Sequence, residues 1–194
     1  MSDPEVDAER GQLMRALSSA EGVWLSVLEH VAPSQWSQPS GCGEWTVRDL
    51  VDHVSGGAHR YAMLLDGATA ALTAATRSED YVGHDPVAAF WRSEGALRDV
   101  AGQSDLTAIV DHRMGRRSGL VLMRMRVMEL TLHAKDLCDG IAAPWEPSAE
   151  LCSYVLDTMS AEIDKLRAAG LFGPERRPVS RSTADLLLAF TGRA

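Results

Sequence analysis

Glu129 and His133 stand four residues apart in the stretch RMRVMELTLHAKD, residues 124–136. On a helix that spacing projects both side chains from one face, one turn above the other. Arg126 and Asp136 extend the same stripe, each three residues outside the pair. Much of the rest is Leu, Met and Val, and a polar stripe buried on such a helix needs partners, a metal or water. A third donor, His53, sits beside Val54 and three residues after Leu50, at the edge of an upstream apolar face. One carboxylate with two imidazoles suits zinc, iron, nickel or another divalent transition metal. Three protein ligands leave coordination positions open, as in catalytic rather than structural sites. Spacing alone also fits plainer roles: a Glu–His pair on a helix surface, and a hydrogen-bonded core histidine at 53. Asp136 is a candidate to accept the second ring N–H of a ligand histidine. Its spacing equally allows it to face a helix end or a basic neighbour.

Five arginines, Arg113, Arg116, Arg117, Arg124 and Arg126, crowd into fourteen positions just before Glu129. A solvated loop and helix start accounts for them in part, but positive charge is unfavourable at a helix N-terminus. Arg126, with Arg116 or Arg117, is therefore expected to recognise an anionic group on a substrate, since a guanidinium binds a carboxylate through two parallel hydrogen bonds. The alternative for Arg126 is structural, an ion pair with Glu129 or another acid. His30, His84 and His112 lack ligand spacing, and His59 is expected at the surface or at a cavity mouth. Cys42, Cys138 and Cys152 form no CxxC pair. They read as small buried or half-buried residues in a reducing compartment.

These groups must be positioned by helices. Leu13, Leu17, Val23, Trp24, Val27, Leu28 and Val31 recur at helical spacing between Val6 and Val31, ahead of Pro33. A Pro-, Gly- and Ser-rich loop follows to Glu44. Thr46 then predicts an N-cap with Asp49 as the acid at N3, and Trp45 with Leu50 a hydrophobic staple, opening a helix to about Leu65. Residues 68–75 suit a small-residue helix. Pro86 opens another to about Val100, through Phe90, Trp91 and Leu97. Leu106 to His112 is ambiguous. Further helices are expected from Leu120 to Asp139, ended by Gly140, and from Pro147 to about Ala169. A last apolar turn, LLLAF, closes the chain. Four or five long amphipathic helices without alternating strand patterns predict an all-α helix bundle in one domain, residues 1–194.

The net charge of −8 disfavours nucleic acid or an anionic membrane as the main partner. The acidic start MSDPEVDAER lacks the basic and apolar regions of a signal peptide, and no apolar run approaches the roughly 20 residues of a membrane helix. A cytoplasmic monomer or homodimer acting on a small molecule is the expectation.

The stretch WSQPSGCGEWTVRDLVDHV, from Trp36 through Cys42, Trp45 and His53, resembles the first signature of the DinB-like bundles of actinobacteria, which include the mycothiol-dependent maleylpyruvate isomerase family. RVMELTLHAKDL, from Arg126, resembles the second signature, and the ending LLLAFTGR resembles the usual tail. The resemblance implies a four-helix bundle with an accessory helix, and a divalent metal, zinc above all, on His53, Glu129 and His133. It implies mycothiol as co-substrate in a thiol transfer or isomerisation, with the metal acidifying the thiol for attack on an electrophilic carbon. Two features depart from the pattern: Lys135 stands where the family usually has Trp, and the chain has little room for the separate C-terminal domain many members carry. Thiol-independent lyase, hydrolase or cyclase chemistry and a non-catalytic binding module are the alternatives.

Overall fold

The computed structural model describes residues 4–193; the first three residues of the acidic start lie outside them. Seven helices are present among these residues: α1 Pro4–Leu28, α2 Val47–Leu65, α3 Ala70–Ala75, α4 Pro86–Gln103, α5 Gly119–Ile141, α6 Ala149–Ala168 and α7 Thr183–Phe190. Helices α1, α5, α2 and α4 form a closed ring of neighbours, α1 on α5, α5 on α2, α2 on α4 and α4 on α1. Helix α6 covers α5 and α1, and α7 lies on α6. This is an all-α four-helix core with accessory helices. No helix among the described residues is long and apolar enough to cross a membrane.

The apolar stripes meet inside the ring. Leu13, Leu17, Trp24, Val51, Val54, Phe90, Leu97, Leu122 and Leu130 are fully buried. Trp91 is 42% exposed, because the face carrying Phe90 and Leu97 leaves it on the outer side. The helix starts follow local chemistry. Thr46 caps α2 reciprocally: the Asp49 N–H donates to the Thr46 hydroxyl at 3.2 Å, and the Thr46 N–H donates to the Asp49 carboxylate at 2.9 Å. Asp85, Ser118 and Ser148 cap α4, α5 and α6 by accepting the N–H three residues on. The ambiguous segment after α4 supplies β1 Ile109–Val110, which pairs antiparallel with β2 Arg117–Ser118.

Helix α5 does not stop at Gly140. It runs to Ile141 and ends on Ala142, which takes the left-handed conformation with φ 56°. Gly140 serves another purpose. A Cβ there would lie 3.0 Å from the Pro39 carbonyl and the Ser40 Cα. Gly41 makes the reciprocal approach, donating its N–H to the Asp136 carbonyl at 2.7 Å. These two glycines let the loop before α2 lie directly on α5, which fixes that loop beside the second signature.

Candidate metal centre

His53 projects from α2, and Glu129 and His133 project from α5, the helix packed against it. One donor atom from each lies within 4.8 Å of the other two. His53 Nε2 is 3.2 Å from Glu129 Oε1, close to the roughly 3.3 Å separating two tetrahedral ligands at 2.0–2.1 Å from one zinc ion. The His53 and His133 rings meet edge to face at 5.2 Å. His133 Nδ1 is 2.9 Å from Asp136 Oδ2, so Nε2 is the nitrogen left for an ion. Donor identity, convergence and the oriented imidazole all fit a divalent transition metal.

Without an ion, an anionic carboxylate faces two imidazoles shifted in opposite directions. Burial alone would raise the Glu129 pKa, but the His53 hydrogen bond and the Arg126 charge hold it well below the usual carboxylate range. Burial pushes His53 down, against the opposing pull of Glu129. Burial disfavours protonation of His133 too, yet its contacts with Asp136 and Cys42 lift it to about 9.

The donors open onto a cavity of about 290 Å³. Trp45 and Cys42 line it from the docked loop, and Leu64, Met114, Met125, Met128, Leu132, Leu166 and Leu171 give it an apolar wall. Trp45, expected to staple the start of α2, turns its ring to His53, with centroids 4.7 Å apart. His112, which has no ligand spacing, also lines the cavity. Burial first, then the charges of Arg117 and Arg113, push His112 down to about 4. His59 instead faces the Tyr81 ring at 5.4 Å.

The arginines sort differently from the expectation. Arg126 is fully buried: its Nε and one terminal nitrogen donate to Glu94 Oε2 at 3.0 and 2.6 Å, and the other donates to Glu129 Oε2 at 2.8 Å and the Val54 carbonyl at 2.9 Å. Its donors are directed into the core, so the structural alternative describes it. Arg116 is exposed outside the cavity lining, and Arg117 spends its guanidinium on the Met114 carbonyl at 2.8 Å and on Glu162 at 3.4 Å. The guanidiniums that line the cavity belong to Arg60, Arg77, Arg113 and Arg193. Arg60 comes from α2, Arg77 from the 3-10 turn Thr76–Ser78, and Arg113 from the hairpin connection. Among the described residues none of these three joins a carboxylate in an ion pair, whereas Arg193 grips Asp136. No spacing rule could single out the three, because they converge only when the turn and the hairpin fold over the bundle.

Residues 17–138 match the family model of the mycothiol maleylpyruvate isomerase N-terminal domain. Two uncharacterised proteins of Mycobacterium tuberculosis, MT0763 of strain CDC 1551 / Oshkosh and Rv0738 of strain ATCC 25618 / H37Rv, are each 26% identical over 93% of this chain and 97% of their own length. The crystal structure of the mycothiol-dependent maleylpyruvate isomerase superposes with a TM-score of 0.59 at 19% identity, covering 84% of this chain and 73% of that one. A His-to-Ala mutant of that enzyme gives a TM-score of 0.58 at 18% identity, over 78% and 69% of the two chains. The bundle is thus the fold of that isomerase, and by the match of its first signature, its second signature and the helices between them the chain belongs to the mycothiol maleylpyruvate isomerase N-terminal domain family.

Proposed function

We propose that this protein is a divalent-metal-dependent enzyme that acts on a small anionic electrophile with a thiol co-substrate of the mycothiol type, as an isomerase or S-transferase. The observation that carries the reading is the convergence of His53, Glu129 and His133 in a cavity that also presents an apolar Met and Leu wall and several arginines. A divalent ion bound there, zinc, iron or nickel, supplies a Lewis acid that lowers the pKa of a coordinated thiol. Family membership favours a thiol over water as the nucleophile.

The chain's own residues do the rest. Asp136 holds the His133 imidazole in one orientation. Arg126 holds the Glu129 carboxylate from behind. The Met and Leu wall keeps water from the electrophilic carbon, which strengthens each charge interaction inside. Arg60, Arg77 and Arg113 receive the substrate's carboxylate, a reassignment of the recognition role from Arg116, Arg117 and Arg126. Partial burial, then the charges of Arg113 and Arg60, pull the Arg77 guanidinium below its ordinary value, and an anion between them relieves that crowding.

Metal analysis of the purified protein and turnover of acidic electrophiles with and without mycothiol test the reading together. Wild type should carry one metal per chain and need the thiol; product bearing the thiol marks a transferase, rearranged substrate an isomerase. His53→Ala and His133→Ala should lose metal while keeping helical circular dichroism, and Glu129→Gln should lose less affinity. Stoichiometric metal in the double histidine mutant would sink the metal assignment, and full turnover without thiol would sink the co-substrate.

A further inference from the structure

The ending LLLAFTGR lies beyond the residues that match the family model, and its arginine does more than line the cavity. Its arginine reaches back 57 positions to the second signature. Arg193 Nε donates to Asp136 Oδ1 at 3.0 Å, and one terminal nitrogen donates to Asp136 Oδ2 at 3.0 Å. This is the two-point, planar grip that only a guanidinium makes. Asp136 Oδ2 is also the atom 2.9 Å from His133 Nδ1. The Asp136 side chain is 3% exposed, so its carboxylate has little water to turn toward.

Arg193 is itself held in place. Its guanidinium lies over the Phe172 ring at 5.3 Å, and its N–H donates to the Leu188 carbonyl at 2.8 Å. The turn that delivers it needs Gly192, at φ +77°, where a Cβ would meet Gly173 and Pro174 at 3.0 Å. We infer that Arg193 is a positioning residue of the metal centre: it fixes the Asp136 carboxylate, and through it holds the His133 ring with Nε2 turned toward Glu129 and His53. The C-terminal segment beyond α7 thereby completes a site whose donors lie on α2 and α5.

The inference rests on the metal reading above, and two measurements separate the failure of one from the failure of the other. The first is zinc affinity by chelator competition for wild type, Asp136→Asn, Arg193→Met, Arg193→Lys and the Asp136→Asn/Arg193→Met double mutant. Met keeps an apolar stem over Phe172 but has no donors. Arg193→Met should weaken zinc about 10- to 100-fold, the range for losing an outer hydrogen-bond partner. Lys should restore only part of this, because it supplies charge without the fork. The double mutant should bind like Asp136→Asn alone, since Arg193 acts through that carboxylate. Wild-type affinity in Arg193→Met, or losses that multiply in the double mutant, would overturn the inference.

The second measurement needs no metal. Proton NMR of the zinc-free protein should show the His133 Nδ1–H downfield and slow to exchange in wild type. In Arg193→Met it should be lost or exchange at least tenfold faster. A zinc-free wild type that never binds metal would refute the proposed function, and the fate of that proton would still decide the role of Arg193. An unchanged proton in Arg193→Met, in a variant with wild-type circular dichroism, refutes it.

Discussion

Arg126 stands between two carboxylates on opposite duties: Glu94, sealed in the core, and Glu129, at the cavity. Removing one member of a buried ion pair leaves an uncompensated charge, at a typical loss of about 3–5 kcal/mol. Arg126→Lys keeps the charge but cannot span both acids. It should lower stability by about 2 kcal/mol and weaken the metal, while KM for an acidic substrate stays put. Thermal melts and kinetics on the same variant check this, and a raised KM at unchanged melting temperature would return Arg126 to substrate recognition. Gly57 is the neighbouring test. A Cβ there would sit 3.1 Å from Glu129 Oε2 and 3.3 Å from an Arg126 nitrogen. Gly57→Ala gains helix propensity, by about 1 kcal/mol, but crowds the ligand carboxylate. Its expected result is near wild-type stability with metal affinity down about 10-fold, read by chelator competition.

Between elements, α1 and α4 are joined by a buried acid that titrates near neutrality. Glu21 pairs with Arg98 and lies close to Glu94. Burial first, with the Glu94 charge, lifts its pKa from 4.5 to about 7 against the pull of Arg98. The folded state then holds this proton more tightly than the unfolded chain does. Stability from this group is therefore fully present below pH 4.5 and lost as pH rises through about 7. Glu21→Gln, which keeps a hydrogen-bonding side chain without the charge, should melt higher than wild type at pH 8 by roughly 3–6 °C, or about 1–2 kcal/mol. The gap should shrink toward pH 5; a gap constant with pH rules out the titration. The helices themselves were legible in the sequence, because the four- and seven-residue spacing of Leu13, Leu17 and Trp24 and the Thr46–Asp49 capping box are local patterns. The Glu129–His133 pair was legible for the same reason. Glu94 was not, since which residue of α4 meets Arg126 depends on how two helices cross. Nor was the end of α5, where the close approach of Pro39 and Ser40 gives Gly140 a packing duty inside the helix instead of a capping one.

For the whole molecule, a net charge of −8 surrounds a cavity lined by Arg60, Arg77 and Arg113. An anionic substrate must cross a repelling outer field to reach an attracting mouth. Within about 8–10 Å, the screening distance at moderate salt, the local arginines dominate. Arg77→Ser and Arg113→Ser should each raise KM for an acidic substrate about 10-fold, near 1.4 kcal/mol, with metal content unchanged. A neutral ester of the same substrate should be indifferent to both changes. Steady-state kinetics on the acid and the ester decide it, and an equal effect on the two would assign these arginines to folding instead.

The proposed metal donors and the arginines of the cavity have different mechanical foundations. His53, Glu129 and His133 stand on long helices in the packed ring, whereas Arg77 sits in a one-turn 3-10 segment and Arg113 in a short hairpin connection. Connections of that kind accept insertions, deletions and new side chains far more readily than packed helices do. Substrate choice in this architecture can therefore drift under selection while the proposed metal triad stays as it is. Lineages built on this scaffold should part ways first in what they accept and only much later in how they react with it.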